Sequence, residues 1–231
     1  KPMIDKQHFE TATEAKQQIQ SNSRVFLHGS PATPVRLINE LVNQKDRLQN
    51  VELISITQQG VNLNDPSLAG HFYMNSLFVS ESNRKAISEG MGDYTPVFLS
   101  EIPLLFNRNI LTVDVAIVSV SPPDKHGYCS LGTSVDIVKS ALRSAKIVIA
   151  QVNPNMPRVH GDGFIPFSRF DMAVWTDDPL PEVSYASGAT EVHHKIGKIV
   201  AELVEDEATL QLGIGSIPDA VLKNLTNHKN L

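Results

Sequence analysis

Cysteine appears once in these 231 residues, at Cys129, so the chain can close no internal disulfide and build no cysteine metal cluster. A catalytic thiol would need a histidine partner, and His126 lies too near in sequence for that role, so Cys129 reads as a packing residue. Basic excess is missing as well: 20 Lys and Arg stand against 25 Asp and Glu, for a net charge of −5. Without a basic stripe, the electrostatic footprint of a nucleic-acid binder is absent. No apolar run approaches the roughly eighteen residues that cross a bilayer, so no membrane partner is expected. Residues 1–10 hold no apolar core of a secretory signal, and a start at Lys1 instead of Met points to an engineered or processed N-terminus. The cytoplasm is the expected compartment, with the mitochondrion left open. Histidines are scattered; His193 and His194 are adjacent, which on a helix turns them about 100° apart. No His-x-x-x-His or His-Glu pair exists, and no metal site is expected.

What the chain does contain is 41% hydrophobic residues in two alternating rhythms. Short β-branched runs at 24–28, 51–56, 113–120 and 146–150 read as strands, and 76–79 as a weaker one. Segments 14–19, 34–42 and 136–144 carry apolar residues at helical spacing. The run at 113–120 is nearly continuous in apolar character, as a parallel strand covered on both faces should be. Helices between buried strands predict an α/β fold with a mainly parallel sheet flanked by helices. Trp175 and the phenylalanines of 164–170 read as core or interface aromatics.

Two loops follow the strongest strands directly. Residues 121–127 (Ser-Pro-Pro-Asp-Lys-His-Gly) come after the first, and 153–157 (Asn-Pro-Asn-Met-Pro) after the second. In open α/β sheets ligands gather beyond the C-terminal strand ends, so Pro122 and Asp124 are candidate site-lining residues. The plainer reading is that Pro and Gly only shape two turns. From 177 to 187 the composition becomes that of a linker.

An internal repeat follows the linker. Helix 193–203, strand 209–212, the loop Gly-Ile-Gly-Ser-Ile-Pro at 213–218 and helix 219–225 retrace the order at the chain's beginning. Aligning Gly29 with Gly213 also brings Pro34 onto Pro218, Leu41 onto Leu225 and Asn43 onto Asn227. The first copy continues into some 150 further residues of α/β structure. The second therefore reads as the opening of a similar domain whose remainder lies outside the chain. The expected organisation is a first domain over 1–188 and the start of a second over 189–231.

A glycine turn between a buried strand and a helix start offers backbone N–H groups and the positive end of the helix dipole to an anion or developing oxyanion. On this ground Gly213, Ile214, Gly215, Ser216 and Ile217 are candidate ligand-binding residues, with Gly29 and Ser30 their counterparts in the first copy. A tight turn with no ligand is the alternative. The third glycine of a dinucleotide fingerprint is lacking, and no Gly-Lys-Ser/Thr follows. No Gly-x-Ser-x-Gly elbow surrounds Ser121, Ser130 or Ser134.

Four long motifs carry a resemblance. Residues 92–103 (Gly-Asp-Tyr-Thr-Pro-Val-Phe-Leu-Ser-Glu-Ile-Pro) and 121–132 (Ser-Pro-Pro-Asp-Lys-His-Gly-Tyr-Cys-Ser-Leu-Gly) are two of them. Residues 153–158 (Asn-Pro-Asn-Met-Pro-Arg) and 210–222 (Leu-Gln-Leu-Gly-Ile-Gly-Ser-Ile-Pro-Asp-Ala-Val-Leu) complete the set. The chain resembles the acetyl-CoA hydrolase/transferase family of class I CoA-transferases, and within it the 4-hydroxybutyrate CoA-transferases most. The resemblance implies two similar α/β domains of the CoA-transferase (NagB/RpiA-like) fold and coenzyme A as a substrate, with no permanently bound cofactor. It further implies a ping-pong cycle through a glutamyl-CoA thioester, with 213–217 contributing to the CoA site, and a homo-oligomer. In look-alikes the attacking glutamate follows the helix that ends here near 225–231, and no residue of this chain matches it. Glu101, Glu182, Glu191, Glu202 and Glu205 lie in other motifs. The missing C-terminal domain is thus an expected partner, and the 231 residues alone are expected to be inactive. Transfer to a carboxylate and hydrolysis by water both stay open on the sequence, as does a non-catalytic CoA-binding module. A sugar-phosphate isomerase would need a basic clamp at the glycine loops, where only Arg36 and Lys223 are near.

Overall fold

The computed structural model describes residues 9–183 and 188–231. The chain divides into two compact units, Lys1–Glu182 and Val183–Leu231.

In the first unit the β-branched runs become strands β1 (Arg24–Leu27), β2 (Val51–Ser55), β3 (Phe72–Ser76), β4 (Gly92–Tyr94), β5 (Val113–Val120), β7 (Ala145–Val152) and β9 (Met172–Trp175). They form one seven-stranded sheet in the order β4-β3-β2-β1-β5-β7-β9. Every described pairing in it is parallel. Strands β6 (Tyr128–Ser130) and β8 (Phe164–Pro166) make a separate antiparallel pair. Helices α1 (Ala12–Lys16), α2 (Val35–Asn43), α3 (Arg84–Ser88), α4 (Ile102–Asn107) and α5 (Val138–Ser144) cover the sheet.

The period of two along each strand sorts the apolar side chains onto two faces. Phe26, Ile54, Val118, Val148 and Ala150 point to one side and pack against Phe106 of α4 and Val138, Ala141 and Leu142 of α5. Phe26 and Phe106 meet edge to face at 5.9 Å. Val25, Leu27, Leu53, Val115, Ile117 and Ile149 point to the other side, under Ala15 of α1, Leu37, Ile38 and Leu41 of α2, and Ala86 of α3. Burial on both faces explains why β5 and β7 are continuous apolar runs in sequence.

The third strand lies at Phe72–Ser76, earlier than the expected 76–79. Its residues alternate between buried and accessible, so it lacks the unbroken apolar signature of its neighbours. The short edge strand β4 and the strand β9 were not anticipated. Glu10 covers the outer edge of β9, accepting from Ala173 N–H at 3.0 Å through its carboxylate and donating its own N–H to Ala173 O at 3.0 Å. Phe9 packs edge to face on Phe167 and Trp175, and Phe167, Phe170 and Trp175 of the expected aromatic group pack against the core.

The linker-like stretch is held to the first unit at its start. Arg36 donates to Asp178 through Nε at 2.7 Å and Nη2 at 2.5 Å, while Asn153 and Asn155 amides donate to Asp178 O at 2.9 and 3.0 Å. Residues 184–187 of that stretch lie outside the described residues.

The second unit contains α6 (Glu191–Ala201) and α7 (Ser216–Asn224). The two helices approach closely because Gly197 faces Ala220: a Cβ at Gly197 would lie 2.6 Å from Ala220 C and 2.7 Å from its O. Ala201, Val221 and Leu225 form the small core. Residues 209–212, expected as a strand, have no ladder partner among the described residues and take no strand conformation. A strand exists by pairing its N–H and C=O groups with a neighbour, and the described residues of this unit offer none.

Candidate functional site

The sheet order reverses at its centre. From β1 the chain moves outward through β2, β3 and β4, then returns to β5 on the other side of β1. The crevice beyond the C-terminal ends of β1 and β5 is the topological switch point, where open α/β sheets receive ligands. Gly29 and Ser30 follow β1, and Pro122 and Asp124 follow β5, so the structure brings all four to this end of the sheet.

Their surroundings are closely specified. A Cβ at Gly29 would sit 2.6 Å from Thr57 O, so only glycine lets the turn pass this close to the backbone after β2. Ser30 adopts φ 55°, donates its N–H to Thr57 O at 2.9 Å, and its hydroxyl meets that of Thr57 at 2.8 Å. The N-terminus of α2 does not stand open: Gln151 on β7 accepts the Leu37 N–H at 3.3 Å. Arg36, the one cation that sequence places by this loop, is committed to Asp178. The pair raises the Arg36 guanidinium and lowers the Asp178 carboxyl.

His28 joins the two central strands. Its Nδ1 accepts the Ser119 N–H at 3.2 Å, so Nε2 carries the proton and donates to Ser134 O at 2.6 Å. The ring is fully buried, and burial pushes its pKa below the ordinary 6.5. Sequence reading placed His28 only as the end of a strand, and no spacing signal marks its role. Gln58 is also buried; its amide nitrogen donates to His28 O at 3.1 Å and, more weakly, to Leu27 O at 3.4 Å.

Asp124 serves its own loop. Its carboxylate accepts the N–H groups of His126 and Tyr128, each at 2.9 Å, and the Arg158 guanidinium at 2.6 Å. The Tyr128 N–H, more than any other contact, holds the carboxyl below its ordinary range. Pro122 is partly accessible beside it. Cys129 is fully buried, and burial pushes its thiol up to about 12. No thiolate is available there for catalysis.

In the second unit, the backbone N–H groups of Gly213, Ile214, Gly215 and Ile217 make no hydrogen bond among the described residues. The loop is open to solvent, with Ile214 78% exposed. Gly215 sits at φ 139°, a conformation that requires glycine, and serves as N-cap of α7 without a side-chain cap. Gly213 has an ordinary φ, and a Cβ there would meet open space. Neither its conformation nor packing among the described residues calls for glycine at that position. Asp219 in the first turn of α7 opposes a full anion at this corner and leaves a neutral carbonyl oxygen or partial oxyanion as the better guest.

A cleft of about 550 Å³ in the first unit lies along α2 between Arg36, Asn43, Gly60 and Pro181, and none of the loop residues singled out from sequence lines it. It is a shallow surface trough, and the switch point is the better candidate on topological grounds. Among the described residues, no group of three or more His, Cys, Asp or Glu converges as metal ligands. No helix of the described residues is long and apolar enough to cross a membrane.

Residues 5–185 match the acetyl-CoA hydrolase/transferase N-terminal domain. The chain is 49% identical over 217 residues to a succinyl-CoA:acetate/propanoyl-CoA:succinate CoA transferase of Fasciola hepatica, covering 92% of this chain and 45% of that protein. It is 45% identical over 229 residues to the 4-hydroxybutyrate coenzyme A transferase of Clostridium kluyveri, covering 99% of this chain and 53% of the relative. The crystal structure of RipA from Yersinia pestis superposes with a TM-score of 0.88 at 30% identity, over 97% of this chain and 55% of that one. The chain thus spans about half the length of the relatives it matches. With the sheet order, the glycine corners and these likenesses together, the chain belongs to the acetyl-CoA hydrolase/transferase family.

Proposed function

We propose that the chain is the N-terminal part of an enzyme that transfers coenzyme A between an acyl-CoA and a small carboxylate such as acetate or 4-hydroxybutyrate. The observation that carries this reading is the set of backbone N–H groups of Gly213, Ile214, Gly215 and Ile217, which make no hydrogen bond among the described residues and lie in an accessible loop at the start of α7. Such donors suit the carbonyl oxygen of a thioester, which gains negative charge as a nucleophile adds to it. The names of the relatives favour transfer over hydrolysis.

The cycle that the family resemblance implies runs as follows. A glutamate carboxylate attacks the thioester carbonyl and expels CoA thiolate, leaving a mixed anhydride. The thiolate then adds to the glutamyl carbonyl, releases the acyl group as a carboxylate, and forms the glutamyl-CoA thioester. An incoming carboxylate reverses both steps and leaves as the new acyl-CoA. The glutamate belongs to polypeptide outside these 231 residues, in a second domain of which 189–231 is the opening. This chain's part is to bind and orient CoA and to hold the developing oxyanion. The complete enzyme is a homo-oligomer of the cytoplasm or mitochondrion, with CoA as substrate and no resident cofactor.

CoA exchange between acetyl-CoA and labelled acetate or 4-hydroxybutyrate tests this. The 231-residue chain binds CoA and shows no turnover, whereas a chain extended to the length of the relatives turns over. Full activity of the 231 residues alone refutes the assignment of the nucleophile.

A further inference from the structure

The chain contains one Asp-Gly pair, Asp162–Gly163, and no Asn-Gly. The pair stands in the turn that leads into β8. Gly161, just before it, has φ 107°, and a Cβ there would meet open space, so the turn stands clear of neighbouring atoms at that point. The Asp162 side chain is 87% exposed, and its one contact among the described residues is an ion pair with Lys139 Nζ of α5. Gly163 is buried, yet its N–H makes no hydrogen bond among the described residues. Buried N–H groups are nearly always engaged, so this nitrogen is unusual in having no bond to give up before it reacts. Glycine also puts no side chain in the way of a ring closing onto that nitrogen. On its carbonyl side the pair is anchored: Gly163 O accepts the Leu131 N–H at 2.8 Å, next to the β6–β8 pairing in which Ser130 faces Phe164.

We propose that Asp162–Gly163 is a site of spontaneous covalent isomerisation, restrained by Lys139, whose isoaspartyl product is a substrate for a repair carboxyl methyltransferase. In the first step Gly163 N bonds to Cγ of the Asp162 carboxylic acid. The hydroxyl oxygen leaves as water, with its own proton and the amide proton, and a five-membered cyclic imide remains. Water then adds to one of the two imide carbonyls. Addition at Cγ restores Asp162. Addition at the main-chain carbon breaks its bond to Gly163 N and leaves the chain running through Cγ, with a free α-carboxylate. Apart from water, no co-reactant is consumed. The new linkage adds one carbon to the backbone path beside the Leu131–Gly163 bond, so the end of the β6–β8 pair is pushed out of register. Ring closure consumes the carboxylate that Lys139 holds, so the ion pair must break first, and Lys139 slows the change. This inference stands independently of the chain's handling of CoA.

Ageing the 231-residue chain at neutral pH for several weeks tests it. Tandem mass spectrometry with electron-transfer fragmentation locates isoaspartate, and an isoaspartyl carboxyl methyltransferase with labelled S-adenosylmethionine counts it. Isoaspartate accumulates at 162 faster than at any other Asp, and the Leu131 amide exchanges with solvent faster in aged than in fresh material. Asp162→Glu keeps the charge but needs a larger, slower-closing ring, and it accumulates none at 162. Lys139→Gln accumulates isoaspartate severalfold faster than wild type. Asp162 is exposed and Lys139 half-buried, and circular dichroism confirms that each variant is folded. No isoaspartate at 162 in the folded wild-type chain, with the same chain in urea forming it, shows the fold protecting the pair and overturns the site. Accumulation in folded Lys139→Gln equal to or slower than wild type overturns the restraint.

Discussion

Replacing His28 by leucine tests how the central strands are tied together at the switch point. The imidazole is fully buried and makes two hydrogen bonds, accepting from Ser119 N–H at 3.2 Å and donating to Ser134 O at 2.6 Å. Leucine fills much of the volume but leaves a buried N–H and a buried C=O without partners. Each such orphan costs about 1–3 kcal/mol, so the loss is roughly 2–6 kcal/mol. That is a large part of the ~5–15 kcal/mol that holds a typical domain together. For a unit of this size it lowers Tm by roughly 4–24 °C, at about 2–4 °C per kcal/mol. Urea and calorimetric unfolding of wild type and variant read it directly. The pH dependence sharpens the test. Burial depresses the folded pKa of His28 below 6.5, so the folded state holds the ring neutral. Its contribution is fully present above pH 6.5 and is lost as pH falls below that value, by at most about 1.4 kcal/mol per pH unit. Leucine removes this slope. Buried Lys16, whose amine is also pushed down by burial, is common to both proteins and cancels in the difference. A loss below about 0.5 kcal/mol, or an unchanged slope below pH 6.5, refutes the bridging role.

Two further predictions concern local packing and reactivity. Gly197→Leu forces α6 and α7 apart, since even a Cβ would lie 2.6 Å from Ala220 C; the second unit loses helical circular dichroism while the β-sheet signal persists, and an unchanged spectrum contradicts the close crossing. Cys129, fully buried with its thiol pushed up to about 12, reacts with a disulfide reagent at neutral pH only in denaturant. Rapid labelling of the native chain contradicts that burial.

The sheet was legible where burial is two-sided. Residues 113–120 and 146–150 announce central strands because both faces are covered over most of their length, leaving polar residues mainly near the strand ends, and β5 matches its expected bounds. At the margins that signal fails. In β3 the accessible residues Tyr73 and Asn75 interrupt the apolar run, and β4 has only three residues, Gly-Asp-Tyr. The expected strand at 209–212 failed for a different reason: its residues have strand character, but pairing is a property of a neighbour and not of the segment. For the site, glycine spacing located the corners at Gly29 and at Gly213–Gly215. Sequence could not tell that α2 is capped by Gln151 from β7, nor that Arg36 is consumed by Asp178, because both partners come from more than a hundred residues away. His28 and Gln58 carry no local motif, and only the juxtaposition of β1, β2 and β5 gives them a role.

The account stands on the amide corner at 213–217 receiving the CoA thioester. Amide-resolved NMR of the 231-residue chain, titrated with a non-hydrolysable acetyl-CoA analogue, reads those N–H groups one by one. The prediction is that Gly213, Ile214, Gly215 and Ile217 show the largest downfield shifts of the second unit. Saturable binding that leaves all four unmoved contradicts it.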